Sequence, residues 1–276
     1  MITRILIVAG LVLSSSLCWA EDFPKDTNDI KSLTAEQAAD LIMVVTFIRK
    51  ENELSLNGLP VICKGVATEL KNFTGDKLTL NGLTCIDDEV LQILKTIPAF
   101  QFSGYKNLKS WTVKQAAEAV KENSEDILEL SLTNISKDIV QELVNFSGRH
   151  IVFSELTSID KEVARELVQF NDNLYLYKLS SIDQDVAKSL AGFKGKVLCL
   201  GLTSINKETA QILAQFGGAT LSFINPLPIN KEVSRELAKS KARLEIKPLQ
   251  PIDEVSLAYL KSNPNISLPE EYRDKK

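Results

Sequence analysis

The 276-residue chain has one histidine, two tryptophans and two methionines, and no block of like charge beyond the short tail from Glu270 to Lys276. With a single histidine, a histidine-based triad or a metal site of several imidazoles would have to be built around His150. A formal net charge of -4 without basic runs argues against nucleic acid or an anionic membrane as a partner. No glycine-rich stretch has the spacing of a phosphate-cradling loop, and no cofactor is implied.

Long apolar runs are also missing. The stretch Ile5 to Leu13 is well short of the ~20 residues that span a bilayer. Arg4 precedes it, and Ser14 to Ser16 and then Leu17-Cys18-Trp19-Ala20 follow. This is the layout of a secretory signal peptide over 1–20, cleaved after Ala20. The expectation is therefore export to the periplasm, the cell envelope or the medium, with no membrane span after cleavage. Removing Cys18 leaves Cys63, Cys85 and Cys199, an odd number in a compartment that permits disulfides.

What the chain does have is a repeat. Ser158-Ile159-Asp160-Lys161-Glu162-Val163-Ala164 resembles Ser204-Ile205-Asn206-Lys207-Glu208-Thr209-Ala210. Each copy has one large apolar anchor: Leu33, Ile62, Ile86, Trp111, Ile135, Ile159, Ile182, Ile205, Ile229 and Ile252. After a first gap of 29 the spacings are 24, 25, 24, 24, 23, 23, 24 and 23 residues, too regular for chance.

Columns around the anchor carry physical meaning. Three residues before it, nine of ten positions are large aliphatics, from Ile30 and Leu59 through Leu202 to Leu249, with Pro226 as the exception. This marks a position buried in every turn. One residue after it stand Thr34, Cys63, Asp87, Thr112, Ser136, Asp160, Asp183, Asn206, Asn230 and Asp253. Nine of these are helix N-caps by type, able to accept from free N–H groups of the first turn, and carboxylates such as Glu162 and Glu208 follow at the positive end of the helix dipole. Caps and first-turn charges account for the recurring carboxylates without a catalytic role.

Five residues after the anchor a small side chain is frequent, and eight after it leucine dominates, which places both on one helix face. Before each anchor lies a short alternating stretch such as Leu78-Thr79-Leu80 or Leu174-Tyr175-Leu176, the pattern of a strand. A repeat of 23 to 25 residues has room for one strand and one helix, not for two helices.

These columns, written approximately LxLxxLTSIDxEVAxxLxxF, resemble the leucine-rich repeat superfamily in a bacterial-type variant. The resemblance implies an α/β solenoid over 30–268 of about ten repeats, with parallel strands on a concave face and helices on a convex face, each repeat touching its neighbours. A linker over 21–29 and a charged tail over 269–276 flank it. The column that holds Asn or Cys in the ordinary repeat here holds Leu, as in Leu83 and Leu156, which removes the expectation of the usual asparagine ladder. The helix from about Ala35 to Lys50, with Leu41, Val44, Val45 and Ile48 at helical spacing, is expected to cap one end, and Ile266 to Leu268 to add a last strand at the other.

The candidate functional surface is the open side of the strands, where residues alternate with buried leucines. Its polar members are Ser55, Asn57, Thr79, Asn81, Glu129, Ser131 and Ser154 at one end and Glu245 and Lys247 at the other. Its apolar middle is Val152, Tyr175, Tyr177, Leu198, Leu200 and Ile224, the pattern of a recognition surface. In the eighth repeat the opposite facing, with Val197 and Cys199 outward, stays open, because a one-residue slip reverses the faces. The irregular stretch Phe100 to Leu108 either fills imperfect stacking or presents aromatics to a ligand. Cys63 and Cys85, at the same edge of adjacent repeats, are candidates for a disulfide. The functional expectation is a non-enzymatic binding module for a protein or peptide partner, with a structural or assembly component of the cell envelope as the alternative.

Overall fold

A computed structural model describes residues 23–102, 104–249 and 252–272. The expected signal peptide and the end of the tail lie outside these residues. The chain divides into two compact units, one ending at Leu108 and the other beginning at Lys109, where the sequence pattern suggests one array.

The N-terminal unit contains β1 (Glu53–Ser55), β2 (Lys77–Thr79) and β3 (Phe100–Gln101) in a parallel sheet of that order. Its helices are α1 (Ala35–Met43), α2 (Lys64–Leu70) and α3 (Asp88–Lys95). The C-terminal unit has seven parallel strands in chain order: β4 (Ile127–Leu130), β5 (His150–Phe153), β6 (Asn173–Leu176), β7 (Val197–Leu200), β8 (Thr220–Phe223), β9 (Arg243–Glu245) and β10 (Ile266–Ser267). Helices α4 (Val113–Glu122), α5 (Lys137–Leu143), α6 (Lys161–Leu167), α7 (Gln184–Ala191), α8 (Lys207–Leu213), α9 (Lys231–Leu237) and α10 (Glu254–Lys261) alternate with them. Within each sheet the helix after one strand leads to that strand's lateral neighbour, so both units are leucine-rich-repeat-like α/β solenoid segments.

The helix starts are where the cap column puts them. Eight of the ten capping side chains accept from a first-turn N–H, and Thr34 and Thr112 form reciprocal boxes with Gln37 and Gln115. Cys63 and Asp87 are the two that make no such bond, so both uncapped helices fall in the N-terminal unit.

Between strand and helix, the core is built from ladders. Leu128, Ile151, Leu174, Leu198, Leu221 and Leu244 are paired side by side along one buried rung. Leu130, Phe153, Leu176, Leu200 and Phe223 form the next. Just past the ends of four helices Phe146, Phe170, Phe193 and Phe216 are buried at equivalent places, and Phe193 stacks on Phe216 with ring centroids 6.1 Å apart. In the last two repeats this column changes to Ser240 and Asn263. Asn263 donates through Nδ2 to the carbonyls of Ala238 and Ser240, so a polar side chain satisfies the backbone where the phenylalanine stack stops.

Four expectations are corrected in detail. The column three before the anchor fails in the ninth and tenth repeats: Leu227 takes the buried place next to Pro226, and Leu249 is 50% exposed. The capping helix changes to a π-helix at Val44–Arg49. Its wider turn keeps Leu41, Val44 and Val45 inside but leaves Ile48 exposed. Thr27–Asp29, within the expected linker, forms a turn of 3-10 helix, and Thr27 donates to the carbonyl of Ser55 at 2.6 Å. Glu270–Tyr272 of the expected tail forms another, with Tyr272 buried.

Candidate binding face

Strand alternation sends every second side chain away from the helices. In the C-terminal unit one such rung runs Glu129, Val152, Tyr175, Cys199, Ser222, Glu245 and Ser267. The rung before it in each strand holds Ile127, His150, Asn173, Val197, Thr220 and Arg243. Just past the strand ends lie Ser131, Ser154, Tyr177, Gly201, Ile224 and Lys247, tied by bonds from Ser154 N to Leu130 O, Tyr177 N to Phe153 O, Gly201 N to Leu176 O and Ile224 N to Leu200 O.

Four of the eight expected site residues lie on the open face. Val152, Tyr175 and Ile224 are half-buried and Tyr177 is 37% exposed, all on the open face. Cys63 and Cys85 are exposed free thiols, so the candidate disulfide is not formed. The register explains why: β1 pairs with β2 at an offset of 24, which puts Asp87, not Cys85, beside Cys63. Two residues along an extended chain and one strand across separate the two Cα atoms by roughly 8 Å, beyond the ~7 Å reach of a disulfide.

Leu198 and Leu200 are a correction. Both are 0% exposed and belong to the buried ladders, and Val197 and Cys199 take the open side. The signal for this was in the sequence. Repeats two, three, six and seven place two residues between the second buried strand position and the next buried leucine, as in Leu176-Tyr177-Lys178-Leu179. Repeats five and eight place only one, Leu130-Ser131-Leu132 and Leu200-Gly201-Leu202. Counting back from the anchor then lands one residue out of register. Gly201 is required at that shortened joint, since a Cβ there would lie 1.9 Å from the carbonyl oxygen of Tyr177.

At the centre of the face the aromatics hold one another. His150 and Tyr175 stack with centroids 5.8 Å apart, and Tyr175 and Tyr177 lie 5.7 Å apart and tilted. Nδ1 of His150 is 3.3 Å from both Asn173 Nδ2 and the Tyr175 hydroxyl. Burial pushes both tyrosine hydroxyls up from 10, so they remain neutral donors and acceptors. Cys199, packed among them and only 4% exposed, has its thiol pushed up to about 11 by burial, against a lowering contribution from the Ser222 hydrogen bond. It is a small filler rather than a nucleophile at neutral pH. Among the described residues no group of three or more His, Cys, Asp and Glu is placed to hold a metal ion. No described helix is long and apolar enough to cross a membrane.

Charged groups frame the patch. Arg243 pairs with Glu245 at 3.2 Å, Lys178 with Glu155 and Lys196 with Asp172, both at 2.8 Å. Across the helices, a groove of about 720 Å³ between α6 and α7 is lined by Lys161, Arg165, Glu166, Asp185 and Lys188. Lys161 and Lys188 both pair with Asp185 there, so its charges are mutually neutralised.

The N-terminal unit has an asparagine ladder in a column different from the usual one. The Asn57 N–H donates to Asn28 Oδ1 at 3.0 Å and the Asn81 N–H to Asn57 Oδ1 at 2.8 Å, while Asn107 Nδ2 donates to the Asn81 carbonyl at 2.6 Å. The recurring Leu-Asn-Gly-Leu at 56–59 and 80–83 was the available sign of it.

No protein-family model matches the chain, and no curated protein matches it by sequence. Among solved structures, an internalin from Listeria monocytogenes is similar at 16% identity, with 90% of this chain and 78% of that chain covered and a TM-score of 0.39. The fold assignment rests on strand register and repeat.

Proposed function

We propose that this protein is an exported, non-enzymatic binding module whose C-terminal unit presents the open face of its sheet to a protein or peptide partner. The observation that carries this reading is the alignment of Val152, Tyr175 and Cys199 on one rung with Tyr177 and Ile224 beside it. Large side chains with few rotatable bonds are held on paired strands, so ordering them on contact costs little entropy. Tyrosine offers an apolar ring and a polar tip, which suits it to anchor a contact. The polar and charged Glu129, Ser131, Glu245 and Lys247 supply a rim. Tyr175 and Tyr177 are the anchors, Val152 and Ile224 the flanking contacts, and Val197 replaces Leu198 and Leu200 as the surface of the eighth repeat, with Cys199 buried beside it.

Export is part of the same reading and rests on the first twenty residues. Sequencing the N-terminus of protein recovered outside the cytoplasm is expected to begin at Glu21; recovery of the chain only in the cytoplasm defeats that part. For the site, the double substitution Tyr175→Ala with Tyr177→Ala is expected to abolish capture of a partner from the extracytoplasmic fraction while the circular dichroism spectrum stays as in the parent. Capture that persists with the double variant removes these tyrosines as anchors.

A further inference from the structure

The open face of the other unit is of different chemistry, and it forms a cleft of about 380 Å³ bordered by Ser55, Asn57, Thr79, Asn81, Gln101 and Phe102. We propose that this cleft binds a neutral saccharide unit, an activity separate from the tyrosine face. Its volume lies in the range of small-molecule sites, roughly 300–1,000 Å³. The groups in it are amides and hydroxyls, which both donate and accept, and that is the mixture required by a ligand whose own groups are hydroxyls. The one charge on its border, Lys77, is paired with Glu53 at 3.4 Å, so nothing in the cleft selects for an anion.

The polar groups are held in place. Asn57 Oδ1 is committed to the Asn81 N–H, which fixes the amide plane. The two Nδ2 hydrogens then have no partner among the described residues. Thr79 donates to Ser55 Oγ at 3.1 Å, leaving the Ser55 hydroxyl hydrogen available. The exposed Gln101 amide has no hydrogen-bond partner among the described residues. Adjacent parallel strands are about 4.8 Å apart, so equivalent groups on β1 and β2 are spaced much as hydroxyls on alternate carbons of a pyranose ring.

A sugar also has an apolar C–H face, and the cleft has one aromatic wall. Phe102 is propped by stacking on Phe100 at 5.8 Å and by the edge contact with Tyr105 at 5.1 Å. Gly104 makes room for it: a Cβ there would lie 2.4 Å from the Phe102 ring. A preset ring beside fixed amides and hydroxyls pays little ordering cost on binding. A peptide side chain would need an apolar pocket, which Phe102 by itself does not make.

The test is saturation-transfer NMR on the whole protein with four probes at millimolar concentration: methyl β-glucoside, methyl β-N-acetylglucosaminide, cellobiose and diacetylchitobiose. Transfer to ring C–H protons of at least one probe is expected. It should fall at least about fivefold in Phe102→Ala and in Gln101→Ala, and persist in the Tyr175→Ala, Tyr177→Ala double variant. The Gln101 side chain is exposed and makes no hydrogen bond to the described residues, so its removal keeps the test decisive if Phe102→Ala unfolds. No transfer from any of the four sugars, or transfer unchanged in Gln101→Ala and Phe102→Ala, overturns the proposal.

Discussion

Both units alternate one strand with one helix and pair their strands in parallel, yet their open faces have little in common. In the N-terminal unit Asn28 and Asn57 turn their side chains to the backbone of the following repeat, and Thr79 reaches Ser55. In the C-terminal unit the equivalent ground is taken by Val152, Tyr175, Tyr177, Cys199 and Ile224, with the Tyr175 and Tyr177 rings in contact. The buried rungs behind both are leucine, isoleucine and phenylalanine throughout. The difference teaches that the inward column makes the fold, and the outward column is free to become a polar cleft in one unit and an aromatic surface in the other. Repeat architectures tolerate this because each turn answers only to its neighbours.

The comparison is broken most severely by moving a residue from one column to the other. Leu200→Ala should cost about 2–5 kcal/mol, the range for a leucine removed from a packed core, while Tyr177→Ala on the open face should cost under about 1 kcal/mol. Urea unfolding followed by circular dichroism measures both. Near-equal midpoints would return Leu200 to the surface and restore the unshifted register in the eighth repeat.

A smaller loss tests the N-terminal ladder. Asn57→Ala removes the acceptor of the Asn81 N–H and should destabilise by about 1–3 kcal/mol, the cost of stranding a half-buried donor. Amide exchange should quicken at Asn81 and leave the C-terminal strands unchanged. Protection that stays as it was at Asn81 would make the ladder ornamental.

The cysteines sharpen the contrast without any substitution. A thiol at about 11 is ionised in roughly one molecule in a thousand at pH 8. Among the described cysteines, Cys63 and Cys85 should therefore react quickly with an aromatic disulfide reagent in the native protein, and Cys199 only on unfolding. Because the folded value of Cys199 is raised, its stabilising contribution is complete below the ordinary cysteine range near 8.5 and is lost as pH climbs towards about 11. Cys199→Ser should flatten that alkaline decline.

The smallest effect belongs to the surface pairs. The Arg149 hydrogen bond holds the Asp126 carboxyl below its usual range. The contribution is present above the unfolded value and is lost as pH falls through the lowered folded one. Arg149→Ala should trim the loss of thermal stability between about pH 5 and 2 and leave the neutral melting temperature almost unmoved, since exposed ion pairs contribute little. A large drop at neutral pH would contradict that placement.

Much of the fold was legible because it is local and periodic. The cap column located helix starts from residue type, and the alternation located strands, since an N-cap oxygen and a pleat each act within a few residues. The candidate face was legible in Val152, Tyr175, Tyr177 and Ile224. Counting back from the anchor misplaces Leu198 and Leu200, which are buried. The shorter Leu200-Gly201-Leu202 joint shifts everything upstream of it, and leucine on both alternating sets left composition unable to choose.

The sequence by itself determined the repeat, the ladders of buried leucines and the positions where helices begin, because those follow from spacing and from side-chain chemistry acting over one turn. Tertiary structure decided what spacing leaves free. It turned Cys199 outward and yet covered it, kept Cys63 from Cys85 through a lateral register of 24 residues, and joined Asn28, Asn57 and Asn81 across repeats. Each of these depends on which residue of one turn lies beside which residue of the next, and that alignment is set by the packing of whole strands rather than by any residue along them.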